Sequence, residues 1–557
     1  MKQPWWKKAT VYQIYPKSFY DTDGDGFGDL QGIIQKLEYL KKLGVDVIWL
    51  TPIYSSPQND NGYDISDYYR IYEQYGTMED FDFLLQEAHA RGIKLIMDIV
   101  VNHTSTEHEW FKQASSSKEN PYRDFYLWKD PLSDGSAPNN WKSKFGGSAW
   151  ELDEKTDQYY LHLYDVTQAD LNWENEKVRN EIYKMMGYWF EKGVDGFRLD
   201  VINVISKNQD FPNDHTGDGR KFYTDGPRVH EFLHESNREV FSKYNAMTVG
   251  EMSSTTIDHC IKYTNPDRHE LSMTFQFHHL KVDYENGDKW TLADFDFIKL
   301  KQILSTWQTE MYKGGGWNAL FWCNHDQPRI VSRYGDDGQF WKKSAKMLAT
   351  TIHMMQGTPY IFQGEEIGMT NPSFNRLENY RDVESLNAYQ ILLEKGLLEE
   401  EIIKILKEKS RDNSRTPVQW SNEANAGFTT GTPWIRVAPN FQSINVENAL
   451  QDNDSVFYHY QKLIQLRKQY DIITDGSYEL ILADHPSIFA YIRNGHNEKL
   501  LVINNFYKNE TSFQLPHEMD LKDYSSEILI SNYQDSSTNV QNISLRPYES
   551  IVYHLKK

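Results

Sequence analysis

The chain has 557 residues, more than the roughly 250 of a single barrel domain, so one large domain carrying inserted or appended pieces is expected. Lys and Arg total 59 against 80 Asp and Glu, and the net charge of -21 disfavours nucleic acid and anionic membrane surfaces as partners; an anionic small substrate would need its own local basic pocket. No signal-like apolar start, no run of about 18 uncharged apolar residues and only two cysteines, Cys260 and Cys323, lead to the expectation of a cytoplasmic protein with no membrane span and no disulfide framework.

Apolar, β-branched runs recur with helical patterns between them: VYQIYP near 11, VDVIWLTP near 45, IKLIMDIVVNH near 93, VDGFRLDV near 194, MTVGEM near 247, SMTFQF near 272, LFWCNHD near 320 and YIFQGEE near 360. Eight buried strands alternating with helices predict an α/β chain folded as a (β/α)8 TIM barrel. Just after the first run, DTDGDGFGD places Asp21, Asp23, Asp25, the Phe27 carbonyl and Asp29 at alternating positions, a spacing of hard oxygen ligands that suits calcium. Gly32 stands where an EF-hand needs its bidentate Glu, and a strand precedes the loop, so it is not an EF-hand; an acidic turn without metal is the alternative. Leu30, Ile33, Ile34, Leu37 and Leu40 then follow helical spacing up to Gly44, and Met78, Phe81, Leu85 and Ala88 do so up to Gly92.

From 104 to 170 the alternation gives way to a stretch rich in Trp, Tyr, Asn, Lys and Asp, far longer than the roughly 2–6 residues of an ordinary strand-to-helix loop, and an inserted subdomain is predicted there. The barrel then comprises 1–103 and 171–475. The runs SIFAYIR, KLLVINNF, SSEILIS and SIVYHL predict a C-terminal antiparallel β-sandwich over 476–557.

Three strand ends carry acids. Side chains alternate along a strand, so Arg198 and Asp200 share one face, and in a barrel that brings guanidinium and carboxylate together inside. Arg198 would hold Asp200 ionised, as an anionic nucleophile requires, although a purely structural ion pair reads the same way. Glu251 ends the next strand, and the neighbouring charge in a desolvated site should keep it protonated as a general acid, later a base. Two carboxyls about 5–5.5 Å apart would act as a retaining glycosidase, and about 6.5–9.5 Å would imply inversion. Asp326 is a third acid, with His103 and His325 as neutral donors. No HExxH or close histidine pair accompanies the acids, so a metal hydrolase is not indicated and no cofactor is expected for catalysis.

DIVVNH ending at His103, GFRLD ending at Asp200, GEM around Glu251 and NHD ending at Asp326, with the Asp-Asn-Gly-Tyr stretch at 60–63 and SRDNSRTPVQW at 410–420, resemble the α-amylase family of retaining α-glucosidases over nearly the full chain. The resemblance implies Asp200 as nucleophile, Glu251 as acid/base and Asp326 as the acid that distorts and fixes the sugar. It also implies Asp60, Tyr63, Asp98, His103, Arg198, His325, Asp412 and Arg415 as the lining of the non-reducing glucose pocket. Tyr63 would stack on the ring, and Asp60 with Arg415 would cap its far end, which means exo-action. Similar acidic loops in the family hold structural calcium or magnesium.

Segments around the pocket rim, TQADLNWENEKVR (167–179), DGRKFYTDGPRVHEFLHE (218–235), SSTTIDHC (253–260), FQFHHLKVDYENGDKW (275–290) and KGGGWNALFWCNHDQPR (313–329), resemble the branch of the family that acts on phosphorylated α-(1,1)-linked glucose. Oligo-1,6-glucosidases, the alternative, share Val201 but resemble QPDLN where this chain has Ala169. The resemblance implies hydrolysis of α,α-trehalose 6-phosphate to glucose and glucose 6-phosphate. Its phosphate would need cations: Lys281 first, then Lys289 and Lys313, the last beside three glycines able to turn amides toward an anion. Sucrose isomerases resemble RLDRD where this chain reads Arg376-Leu377-Glu378-Asn379-Tyr380, and an inactive transporter-linked scaffold would lack part of the acid set.

Overall fold

The computed structural model describes residues 3–517, 519 and 521–557. Eight parallel strands form the barrel: β1 (Val11–Ile14), β2 (Val47–Leu50), β3 (Lys94–Val100), β4 (Gly196–Asp200), β5 (Met247–Glu251), β6 (Met273–Phe275), β7 (Ala319–Leu320) and β8 (Thr358–Phe362). They run β6-β5-β4-β3-β2-β1-β8-β7 across the sheet, and a parallel bridge between Thr274 and Asn318 joins the two ends. Seven of the eight apolar runs read from the sequence carry most of one of these strands; the run near 320 only begins on β7, and the chain leaves the sheet before Asp326. The strand residues are buried on both faces apart from Lys94, which is why the runs are continuously apolar rather than alternating.

The helices pack outside because each presents one apolar stripe. Glu176–Lys192 buries Val178, Ile182, Met185, Met186 and Trp189, starts on Asn175, whose side chain accepts from Lys177 N, and stops at Gly193. Burying each such side chain contributes about 1.5–3 kcal/mol. Gly193 (φ 107) and Gly44 (φ 97) occupy the left-handed region that ends a helix and that a side chain resists. The pattern read as one helix up to Gly44 is two, Leu30–Gln35 and Leu37–Leu43, broken at Lys36.

After β3 the chain leaves the barrel. His103–Ser105 pairs antiparallel with Gln168–Asp170, zipping together the two ends of the inserted stretch, which holds a small sheet of Trp128–Lys129, Trp150–Asp153 and Gln158–Leu161. After β8, a hairpin of helices Val383–Glu394 and Glu399–Lys409 lies over the barrel mouth on its own apolar cluster, an excursion that the sequence reading did not separate from the barrel. The C-terminal part has a five-stranded antiparallel sheet, beginning with Ser477–Ile481, and a two-stranded ribbon of Thr511–Gln514 with Asn542–Leu545; a core of its own lies between them. Among the described residues, no helix is long and apolar enough to cross a membrane.

Candidate active site

The pocket opens at the C-terminal ends of the barrel strands. Arg198 lies at its floor, buried, and its guanidinium organises the acids: Nη1 donates to Asp98 Oδ1 (2.7 Å) and Asp200 Oδ1 (2.5 Å), and Nη2 to Glu251 Oε2 (2.5 Å). One fork thus holds acids from β3, β4 and β5. The same guanidinium therefore brings the carboxyls of Asp200 and Glu251 side by side. Two carboxyls held by one fork suit the close spacing of a retaining glycosidase.

Val201, next to Asp200, has φ 37 and ψ 38, the left-handed region, which is an outlier for a β-branched residue. That turn aims its N–H at Glu251 Oε2 (3.2 Å). Strain of this kind costs about 1–3 kcal/mol and persists where the surroundings impose it.

Burial is the largest influence on both acids. It pushes Glu251 up to about 8, with Arg198 opposing and the charges of Asp200 and Asp326 adding to the rise. Asp200 is also raised, to about 7, again by burial first, with Arg198 pulling it down and Asp98 pushing it up. Burial and the guanidinium thus pull Asp200 in opposite directions, and of the two acids Glu251 is the one favoured to hold a proton. Asp326 behaves oppositely. Burial would raise it, but His325, Arg411, Arg415 and Arg198 prevail and hold it well below the usual carboxylate range.

Burial also keeps the histidines neutral, pushing His103 down to about 4 and His325 to about 3. Gln13 Nε2 donates to His325 Nδ1 (2.8 Å), leaving Nε2 as the protonated donor facing Asp326 Oδ2 (3.3 Å). The His325 ring stacks on Tyr63 (centroids 5.1 Å, interplanar angle 2°), and the Tyr63 hydroxyl donates to Asp98 Oδ2 (2.9 Å). His103 Nε2 lies 3.1 Å from the Tyr63 carbonyl.

The cap at the far end differs from the expected pair. Asp60 meets Arg411, not Arg415: Arg411 Nη2 lies 3.1 Å from Asp60 Oδ1, and Nη1 lies 3.2 Å from Asp326 Oδ1. Arg415 is buried one helical turn further on, where it donates to Asp326 Oδ1 (2.8 Å) and the His325 carbonyl (2.8 Å) from beneath the pocket. Asp412 does not reach the pocket either; its Oδ2 accepts from the backbone N–H groups of Arg381 and Asp382. The sequence reading missed Arg411, although it belongs to the same SRDNSR segment. It also missed Lys144, Phe145, Tyr164, Phe277 and Glu384, which border the pocket from the insert, the strand 6 loop and the helix hairpin.

Two of the three lysines proposed for an anion border the pocket, Lys281 and Lys289. Lys289 is matched by Glu384 Oε2 (2.6 Å). Lys313 is a correction: it ends helix Phe297–Lys313, pairs with Glu310 (3.0 Å), and leads into β7 at the opposite, N-terminal face of the barrel.

In the acidic loop, Asp21, Asp23 and Asp29 offer oxygens that all lie within 4.8 Å of one another. Asp25 stands outside that group, with Oδ1 accepting from Phe27 N (2.8 Å). Asp29 also caps helix Leu30–Gln35 through Gly32 N. Its carboxyl is raised by burial. A buried carboxylate beside two more fits a hard divalent cation held by Asp21, Asp23 and Asp29.

The chain matches the family model described as the α-amylase catalytic domain over residues 13–476, and that of the α-amylase SusG C-terminal domain over 488–552. It is 70% identical to a trehalose-6-phosphate hydrolase of Bacillus subtilis, across 100% of this chain and 99% of that one. It is 55% identical to an oligo-1,6-glucosidase of Parageobacillus thermoglucosidasius, across 100% of both. The crystal structure of the Bacillus licheniformis trehalose-6-phosphate hydrolase superimposes with a TM-score of 0.97 at 71% identity, covering 100% of each chain.

Proposed function

This chain belongs to the α-amylase family, and from that membership we propose that it is a retaining, exo-acting glycoside hydrolase that cleaves α,α-trehalose 6-phosphate to glucose and glucose 6-phosphate. The observation that carries the reading is a pair of acids, Asp200 and Glu251, held by one guanidinium at the floor of a pocket closed at one end by Asp60 and Arg411 and bordered by Lys281 at its rim. The closed end admits one glucose. The lysine side leaves place for a second, anionic sugar. Identity to trehalose-6-phosphate hydrolases supports that substrate over isomaltose.

In the first half-reaction an Asp200 oxygen attacks the anomeric carbon of the non-reducing glucose, while Glu251 gives its proton to the glycosidic oxygen. The C–O bond to glucose 6-phosphate breaks, and an ester to Asp200 forms. Once Asp200 is esterified its charge is gone, the pKa of Glu251 falls, and its carboxylate takes a proton from water. The water oxygen then displaces Asp200, so glucose leaves with its original anomeric configuration. Asp326, held ionised, faces the positive charge that develops on the ring, and neutral His325 donates a hydrogen bond.

A calcium or magnesium ion held by Asp21, Asp23 and Asp29 would serve structure, tying the loop after β1 to the helix that follows. Cys260 and Cys323, both buried thiols, are consistent with a reducing cytoplasm. Initial rates on trehalose 6-phosphate and on isomaltose test the substrate. A kcat/KM at least tenfold higher on the phosphorylated sugar is expected; the reverse order would make the chain an oligo-1,6-glucosidase.

A further inference from the structure

We propose that Lys144, delivered to the pocket by the inserted subdomain, binds the phosphate of the leaving glucose together with Lys281, an inference that rests on the substrate reading above. Both side chains line the pocket with Glu251 and Ser253, and Lys144 is tied by its bond to Ser253 to the side where the leaving group protonated by Glu251 must lie. The other cations nearby are already engaged. Arg198 and Arg411 are saturated by carboxylates, and Glu384 holds Lys289. Among the described residues, neither Lys144 nor Lys281 has a carboxylate partner. Lys144 Nζ donates to Ser253 Oγ, a neutral oxygen two residues beyond the acid/base.

The position of Lys144 is fixed by its backbone. Its N–H donates to the Leu163 carbonyl (2.8 Å), and the neighbouring Ser143 hydroxyl donates to the Tyr164 carbonyl (2.6 Å), so the loop is pinned across the insert. An enclosed ammonium without an anion is costly. Burial pushes Lys144 down to about 7, with the charges of Arg220 and Lys281 adding to the fall. Burial lowers Lys281 as well, again with Arg220 contributing. A phosphate monoester dianion seated between the two ammonium groups would relieve both penalties and supply the counter-charge that the fold omits. Specificity for the phosphorylated sugar would then come from the insert as well as from the barrel.

The test compares kcat/KM on trehalose 6-phosphate with kcat/KM on p-nitrophenyl α-glucoside, which has no phosphate. In Lys144→Met the ratio should fall tenfold or more, about 1.4 kcal/mol, and Lys144→Arg should keep most of it. A wild-type preference that Lys144→Met retains would overturn this proposal alone; a wild-type enzyme without the preference would overturn the substrate reading and the proposal with it. If Lys144→Met does not fold, acetic anhydride labelling of the wild-type protein gives the same decision. Glucose 6-phosphate should shield Lys144 where glucose does not, and equal labelling with both sugars would contradict the assignment.

Discussion

Asp200 and Glu251 hang from a single guanidinium, and their protonation sets the active form in the proposed mechanism. Activity requires Asp200 bare and Glu251 protonated, so kcat/KM should rise as pH passes about 7 and fall above about 8, the limbs belonging to the coupled pair. Measuring this on p-nitrophenyl α-glucoside keeps phosphate titration out of the profile. Glu251→Gln should remove the alkaline limb and lower kcat on trehalose 6-phosphate by about 10²–10⁴, with a smaller loss on the activated nitrophenyl leaving group; an alkaline limb that survives the substitution would assign the acid elsewhere. Arg411→Met should be worse than a simple contact loss. It strands Asp60 in a buried site and leaves Asp326 with Arg415 alone, a loss of about 3–5 kcal/mol where one partner of a buried pair is removed, and the lost charge should raise KM for both substrates. An unchanged KM would mean that Arg411 does not close the pocket.

The barrel strands were legible because each is a buried, nearly continuous apolar run, and the acids at their ends followed from strand alternation. Asp200 and Glu251 sit on adjacent parallel strands, so their meeting is a consequence of sheet order. The cap was not legible in the same way. Arg411 caps, and Arg415 ends, the short helix Asp412–Arg415 after β8, and which one reaches Asp60 depends on how that helix docks, a fact carried by no local pattern. Lys313 was decidable in principle, since a helix-to-strand loop lies at the face of the barrel opposite the site. Lys313→Ala should therefore change stability by no more than about 0.5 kcal/mol and leave KM for the phosphorylated sugar as it was; a raised KM would return it to the site. For the acidic loop, calcium added to chelator-stripped protein should raise Tm through binding to the folded form, with the affinity lost in Asp23→Ala. The same Tm in chelator and in excess calcium would leave the loop a metal-free turn.

At the scale of the whole molecule, the C-terminal sheet is welded to the barrel, and its Phe489, Tyr491, Leu500 and Val502 belong to the barrel's own core. Buried cations stitch the joint. Lys301, from helix Phe297–Lys313, donates to the carbonyls of Leu482, His485 and Ile488, and Arg493 reaches back to those of Met354 and Ile473. Lys301→Met should lower stability by about 1–3 kcal/mol by stranding these carbonyls, read as a lower Tm with KM unaltered. The sequence announced the sheet through its alternating runs, but this joint is built from backbone carbonyls, which no side-chain pattern displays.

The proposed function turns on a covalent glucosyl ester at Asp200. Reacting the enzyme with a fluorinated α-glucosyl fluoride and mapping the digest by mass spectrometry should place the fluoroglucosyl mass on the peptide that carries Asp200. A label on any other residue, or none while the enzyme is inactivated and slowly turns over, would contradict it.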